Sequence, residues 1–193
     1  MNIYHEPEDN VKNWSGSGMT ATDYRNMYRY VVNKLRAHGV TNAVYVWNPM
    51  GYYGWLEYLD DLYPGHDVVD WMCYDPYATD NRFPTFENLV NSQNRPGIGW
   101  PGSYNWLTNK APGKPLMMCE WGVDLKSNTN PASVLDVDAA KIIAKYPMLK
   151  AVVYWNDIGV GNYRIDDTTT KGKALGNAYR NFANQPIFNQ MTP

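Results

Sequence analysis

The feature that most constrains this chain is a repeated alternation of two patterns. Short apolar runs of strand length are followed, five times over, by longer amphipathic stretches. The apolar runs occupy residues 2–5, 43–47, 68–74, 116–119 and 151–155. The stretches between and after them read as helices over 23–37, 53–62, 86–92, 131–146 and 171–183, with a further helical turn over 103–107. In the first helix Asp23 is placed to cap the start. Tyr24, Met27, Tyr28, Val31, Val32 and Leu35 form its apolar stripe, and Gly39 ends it. Pro131 sits near the first turn of the fourth helix, with Ile142 and Ile143 turned inward. Strands that are apolar throughout are buried on both faces, which implies a parallel sheet covered by helices. Five such units fit either an open doubly wound sheet or part of a (β/α)8 barrel, whose full length is typically ~250 residues.

The polar residues decide between the two. The runs end in His5-Glu6, Trp47-Asn48, Tyr74-Asp75 with Tyr77 just beyond, Glu120-Trp121, and Trp155-Asn156-Asp157. Polar and aromatic side chains recurring at the C-terminal ends of strands are what an active site on a barrel rim requires. A nucleotide-binding sheet would show a glycine-rich turn between its first strand and helix. Gly97-Ile98-Gly99 has neither a strand before it nor a helix after it, and falls in a Gly- and Pro-rich loop over 95–102. The fold class expected is therefore α/β, the C-terminal portion of a TIM barrel from about strand 4 to strand 8. The whole of residues 1–193 is read as part of one catalytic domain.

The chain has five glutamates. Glu57 and Glu87 fall on helix faces and read as solvated surface, and Glu8 beside Asp9 reads as an acidic loop. Glu6 and Glu120 stand at strand ends among apolar residues, where a carboxylate is costly unless it is paired or hydrogen-bonded. Two carboxylates on one barrel rim suit glycoside hydrolysis, with a separation of ~5–5.5 Å for retention and ~6.5–9.5 Å for inversion. The 16 tyrosines and 8 tryptophans against 4 phenylalanines suit a site that stacks sugar rings, and equally an aromatic core. A net charge of −2 with no basic stretch argues against nucleic acid. No apolar run is long enough to span a membrane, and no signal peptide is recognisable at Met1. His5, His38 and His66 lie at no metal-ligand spacing, so neither a metal nor a cofactor is expected. His38 reads as a helix-end residue. Cys73 and Cys119, each in an apolar run, are expected as buried free thiols.

In sequence order, several segments resemble glycoside hydrolase family 26, the endo-β-mannanase family of retaining barrel enzymes. His5-Glu6 is similar to the family's fourth-strand His-Glu. Residues 44–49, Val-Tyr-Val-Trp-Asn-Pro, resemble its fifth strand. Residues 63–71, Tyr-Pro-Gly-His-Asp-Val-Val-Asp-Trp, lead into the sixth, where Asp75-Pro76-Tyr77 stands in place of the usual Asp-Gly-Tyr. Residues 114–122, Lys-Pro-Leu-Met-Met-Cys-Glu-Trp-Gly, resemble the seventh, and Trp155 belongs to the last. The resemblance implies Glu120 as nucleophile and Glu6 as acid/base. It also implies Tyr77 as a hydrogen-bond partner of Glu120, His5 beside the scissile bond, and Trp155 under the −1 sugar. Trp47 and Trp121 are carried as substrate-binding candidates, with core packing as the alternative. Trp14, Trp100 and Trp106 are candidates for outer subsites. Pro7-Glu8-Asp9-Asn10 and Pro76 depart from the family pattern.

The resemblance places the first three strands and most of the fourth outside this sequence. Five strands cannot close a barrel, so open sheet edges and an exposed apolar flank are expected. Such a unit would pair with an N-terminal segment or with a second copy, and would have little activity alone. The expected partner is a β-linked polysaccharide or oligosaccharide, met outside the cell. The alternatives are an inactive or degenerate barrel that binds carbohydrate without cutting it, and a phage or cell-surface protein using the same barrel on a host glycan.

Overall fold

A parallel sheet of five strands runs through the molecule in the order β1-β2-β3-β5-β6. Its strands are β1 (Asn2–His5), β2 (Val46–Asn48), β3 (Trp71–Tyr74), β5 (Leu116–Val123) and β6 (Leu149–Tyr154), with a two-residue strand β4 (Tyr77–Ala78) between β3 and β5 in sequence. The structure, a computed structural model, describes residues 1–92 and 97–189. Part of the Gly- and Pro-rich loop over 95–102 thus lies outside the described residues. The helices are α1 (Ala21–Ala37), α2 (Leu56–Leu62), α3 (Phe86–Val90), α4 (Ser103–Lys110), α5 (Ala139–Lys145) and α6 (Thr170–Ala183).

The expected order of elements holds, with an earlier start to α1, a split in the helix over 131–146 and one added short strand. α1 starts earlier than a cap at Asp23 would allow. Thr20 Oγ1 accepts from the Asp23 amide (3.1 Å) and Asp23 Oδ2 accepts from the Thr20 amide (2.9 Å), a reciprocal capping box that makes Thr20 the cap. Tyr24, Tyr28 and Val32, one helical turn apart, form its buried stripe. The helix expected over 131–146 is two pieces. A 3-10 turn covers Pro131–Leu135, and Asp138 caps a separate α5 through the Lys141 amide. β4 has no signature in the sequence, being two residues long.

β5 is the axis of the sheet. On one side it pairs with β3 (Met72↔Leu116, Tyr74↔Met118) and further along with β4 (Tyr77↔Gly122, Ala78↔Val123). On the other it pairs with β6, where Met118↔Val152 is followed by Trp121↔Tyr154. Three steps along β5 against two along β6 mark a bulge at Cys119-Glu120. Further register shifts lie in β5 between Leu116 and Met117 and in β1 between Asn2 and His5. Bulges re-aim side chains and recur beside active sites. Two of these shifts fall next to Glu120 and Glu6.

Cys73 and Cys119 form a disulfide across β3 and β5, with Cα atoms 5.7 Å apart, and are not the free thiols expected. The two apolar runs are adjacent strands, which spacing along the chain cannot report.

Among the described residues β1 pairs only with β2, and β6 pairs across the main sheet only with β5. The sheet is an unclosed part of a barrel. Val153, Trp155, Ile158 and Val160 are exposed at and beyond β6. A groove of about 550 Å³ opens between β6 and α6, walled by Leu149, Val152, Tyr179 and Phe182. This is the apolar flank anticipated for an incomplete barrel. No helix among the described residues is long and apolar enough to cross a membrane.

Most of the aromatic content is core. Trp47 and Trp121 are 0% and 1% exposed, so neither ring can meet a sugar, and both are withdrawn as substrate-binding candidates. Trp47 packs on Tyr63 and Trp106, and Trp121 on Phe86, Tyr154 and Phe182. Trp100 and Trp106 stack on each other inside the core, so they are not outer subsites either. Trp14 is exposed, with the Lys12 ammonium over its ring.

Gly51, after β2, is held at φ +71°, and a Cβ there would lie 2.8 Å from Tyr74 Cβ. Gly51→Ala is expected to lower unfolding free energy by roughly 1–3 kcal/mol in urea titration, the cost of a strained left-handed residue plus a clash. No loss would contradict the close approach of this loop to β3.

Candidate active site

Parallel strands put all their C-terminal ends on one rim, so the sheet gathers His5-Glu6, Asn48, Asp75, Tyr77, Glu120 and Trp155 on the same side. Asp75 binds them together. It follows β3, is 6% exposed, and has Pro76 after it. Its Oδ1 accepts from the Glu120 backbone amide (2.9 Å), and its Oδ2 accepts from His5 Nε2 (2.9 Å) and Asn48 Nδ2 (3.0 Å). The β3–β5 ladder stops at Tyr74↔Met118 and resumes as β4–β5 at Tyr77↔Gly122. In the gap the carboxylate of Asp75, not a main-chain carbonyl, receives the Glu120 amide.

The side chain of Glu120 is held on two sides. Tyr77 Oη donates to Oε2 at 2.6 Å, and His5 Nε2 lies 3.3 Å from Oε1. Tyr77 is itself packed against Tyr163, with ring centroids 4.7 Å apart. The hydrogen bond from Tyr77 to Glu120 is the one that the family resemblance implies. Burial and the acceptance of its proton by Glu120 push the Tyr77 phenol far up, so it stays a donor at every physiological pH. His5 is pushed up to about 9, first by its hydrogen bond to Asp75, and is therefore an imidazolium at neutral pH. Burial pushes the Asp75 carboxyl up, while the bonds from His5 and Asn48 oppose it.

Glu6 has a backbone unlike the others. It stands at φ 44° and ψ 60°, a left-handed conformation rare outside glycine and confined, among the described non-glycine residues, to this position. Its amide donates to the Asn48 carbonyl at 3.0 Å, and Pro7 and Glu8, which follow, are buried. Burial first, and the nearby Asp75 second, push the Glu6 carboxyl up to about 7. Glu6, Asp75 and Tyr77 line a single cleft. Trp155 is 39% exposed at the end of β6, its amide bonded to the Trp121 carbonyl.

The contributions of Asp75, Asn48 and Glu8 come from contacts between strands that the sequence does not display. Asp75 and Asn48 were noticed as strand ends, but nothing in the sequence showed that one carboxylate would link four of them. In the sequence Glu8 reads as loop acidity beside Asp9. It is 1% exposed, accepts from the Gly51 amide at 3.3 Å, and burial pushes it up to about 7. The ligand atoms of His5, Asp75 and Glu120 also lie within 4.8 Å of one another, a grouping of the size a metal ion needs. Sequence spacing could not reveal it, because the three residues come from three strands.

His5, Glu6 and Glu8 all carry raised values in the folded state, so each contributes stability in its protonated form. That contribution is whole below the unfolded values. It is lost as pH rises through about 7 for Glu6 and Glu8 and about 9 for His5. Urea midpoints are therefore expected to fall from pH about 5 to pH about 9. Glu8→Gln should remove one step of roughly 3 kcal/mol and flatten the lower half of that fall. An unaltered slope in Glu8→Gln would contradict a neutral buried carboxyl.

Known proteins resemble this chain in sequence and in fold. Residues 1–96 match the model of glycosyl hydrolase family 26. A mannan endo-1,4-beta-mannosidase of Bifidobacterium adolescentis is 34% identical over 82 residues, which is 41% of this chain and 8% of that protein. The fold is similar to that of a modular endo-beta-1,4-mannanase from Cellulomonas fimi (TM-score 0.63, 21% identity, 99% of this chain and 42% of the other). It is also similar to a GH26 beta-mannanase from Bacteroides ovatus (TM-score 0.60, 18% identity, 96% of this chain and 49% of the other). The chain spans less than half the length of each of these relatives. With the family model on its first 96 residues and the barrel fold of family 26 mannanases over nearly all of it, the chain belongs to glycosyl hydrolase family 26.

Proposed function

We propose that residues 1–193 are part of a catalytic domain that hydrolyses a β-linked, mannan-like polysaccharide with retention, through a covalent glycosyl-enzyme. The observation that carries this reading is the treatment of Glu120. Its carboxylate is exposed enough to meet a substrate, with a side chain 22% accessible. It is oriented by Tyr77 and stands beside the imidazolium of His5 on the rim that also holds Glu6. The sugar class follows the relatives, which are described as mannanases.

In the first step Glu6 donates its proton to the glycosidic oxygen. Glu120 attacks the anomeric carbon, the C–O bond to the departing sugar breaks, and a glycosyl ester on Glu120 forms. In the second step Glu6, now a carboxylate, takes a proton from water as the water oxygen attacks the same carbon and frees Glu120. A value of about 7 suits Glu6 to both halves. Part of that elevation comes from the negative charge on Glu120, and esterification removes it. Glu6 thus becomes a weaker acid's opposite, a readily ionised carboxylate, when a base is needed. Tyr77 and His5 hold Glu120 so that one oxygen faces the sugar. Trp155 offers an exposed ring at the −1 position. The open edges of β1 and β6 are where a further segment or a second copy would complete the barrel. Polymers of this kind occur outside the cell, and we place the site of action there.

The test uses the protein as the cell makes it. Glu120→Ala is expected to reduce kcat on mannan on the order of 10³-fold or more while affinity for mannan persists. Glu6→Ala should fall by about 10²–10⁴-fold on the polymer, and far less on an aryl glycoside whose leaving group departs without a proton. Wild-type turnover in Glu120→Ala would refute the assignment. Tight mannan binding with no hydrolysis by the unaltered protein would favour a non-catalytic carbohydrate binder.

A further inference from the structure

A tyrosine on the loop after β6 reaches Glu120 through Tyr77. Tyr77 opens the two-residue strand β4 and stands opposite Gly122 on β5. The ring of Tyr163 takes the space that a side chain at Gly122 would need. A Cβ at Gly122 would lie 3.0 Å from Tyr163 Cδ1, and one at Gly161 would lie 2.7 Å from Tyr163 Cζ. Neither glycine has a positive φ, so what each supplies is the absence of a Cβ. The Tyr163 ring is 6% exposed, and its centroid is 4.7 Å from that of Tyr77. The backbone around it is pinned. The Asn162 amide donates to Asp124 Oδ1 (2.7 Å) and the Leu125 amide donates to the Asn162 carbonyl (2.8 Å), which ties the loop to the end of β5. The Tyr163 amide donates to the Asp157 carbonyl (3.0 Å), which closes the loop on itself.

We infer that Tyr163 is a positioning residue for the nucleophile, acting through Tyr77. The inference rests on the hydrolase reading above. The phenol oxygen of Tyr77 lies at the far end of its side chain, where a small rotation about χ1 moves it most. The bond it makes to Glu120 Oε2 is 2.6 Å long, and such bonds weaken steeply once distance and angle are lost. Pairing of β4 with β5 fixes the Tyr77 backbone but not its ring. Tyr163 packs on that ring at an interplanar angle of 45°, which limits the rotation. A loop tied to β5 by Asp124 thus holds the ring that aims the hydroxyl that orients Glu120. Loss of Tyr163 should therefore act on the attack by Glu120 and not on affinity for the polymer.

The test uses the protein as the cell makes it, with mannan as substrate. Tyr163→Ala is expected to lower kcat about 10–100-fold, with KM changed by no more than about twofold. Tyr163→Phe, which keeps the ring, should recover most of that loss. Gly122→Ala, which crowds the ring, should lower kcat in the same sense. Tyr77→Phe removes the hydroxyl that the ring aims, so adding Tyr163→Ala to it should cost little further kcat. If Tyr163→Ala does not fold, Gly122→Ala carries the same double-variant comparison. Losses that multiply in the double variant, or an unaltered kcat when the ring is removed or crowded, would overturn the assignment. A second readout needs no turnover. With meta-fluorotyrosine in place of Tyr77, the fluorine NMR resonance should shift on Glu120→Gln. Tyr163→Ala should abolish that response and Tyr163→Phe should keep it. A response that survives Tyr163→Ala would also overturn the assignment. If the unaltered protein did not cleave mannan, the hydrolase reading would fall, and the fluorine response alone would decide whether Tyr163 places Tyr77 against Glu120.

Discussion

The candidate site depends on one buried carboxylate. Asp75 accepts hydrogen bonds from the end of β1 through His5, from the end of β2 through Asn48, and from the bulge of β5 through the Glu120 amide. Each bond involves a charged acceptor and is worth about 1.5–3 kcal/mol net, and removing one partner leaves a buried group short. The effect is geometric more than energetic. Four parallel strands would share a rim in any case, but their end residues would be free to point in different directions. A single anion that all of them must satisfy fixes the relative placement of His5, Glu6 and Glu120. It also supplies the negative charge that keeps His5 protonated and helps to keep Glu6 protonated.

That arrangement also explains what could be read from the sequence and what could not. The strands were legible because parallel strands buried on both faces are apolar throughout, and their C-terminal ends were marked by residues that a strand interior rejects. Glu6 and Glu120 stood out for that reason. Trp47 and Trp121 misled for the same reason. An aromatic at a strand end can face the rim or the helices, and the bulge at Cys119-Glu120 turns Trp121 inward onto Phe86 and Phe182. A one-residue bulge inverts the alternation on which such a reading relies, and it carries no composition of its own. The disulfide between Cys73 and Cys119 was illegible for a related reason, since it depends on which strands are neighbours. Asp75 was visible as a strand-end residue, but its three partners come from three different strands and no local pattern announces them.

The unclosed sheet gives the chain two contrasting faces. The rim from β1 to β5 is densely bonded, with Glu8, Asn48 and Asp75 all buried and engaged. The β6 side carries exposed Val153, Trp155 and Val160 and an apolar groove beneath α6. Of Trp47, Trp121 and Trp155, only Trp155 keeps an accessible ring, and it stands on this less enclosed side. The polar cluster around Asp75 thus lies among bonded strand ends, and the exposed ring of Trp155 lies next to the open edge.

The central claim is that the carboxylates of Glu6 and Glu120 act on one glycosidic bond at the spacing a double displacement requires. Proton NMR of the first product released from a β-linked manno-oligosaccharide tests it most directly, read before mutarotation mixes the anomers. The account predicts the β anomer as the initial product, the outcome of two successive inversions. Initial appearance of the α anomer would mean a single displacement by water, and would contradict the assignment of Glu120 as the attacking group.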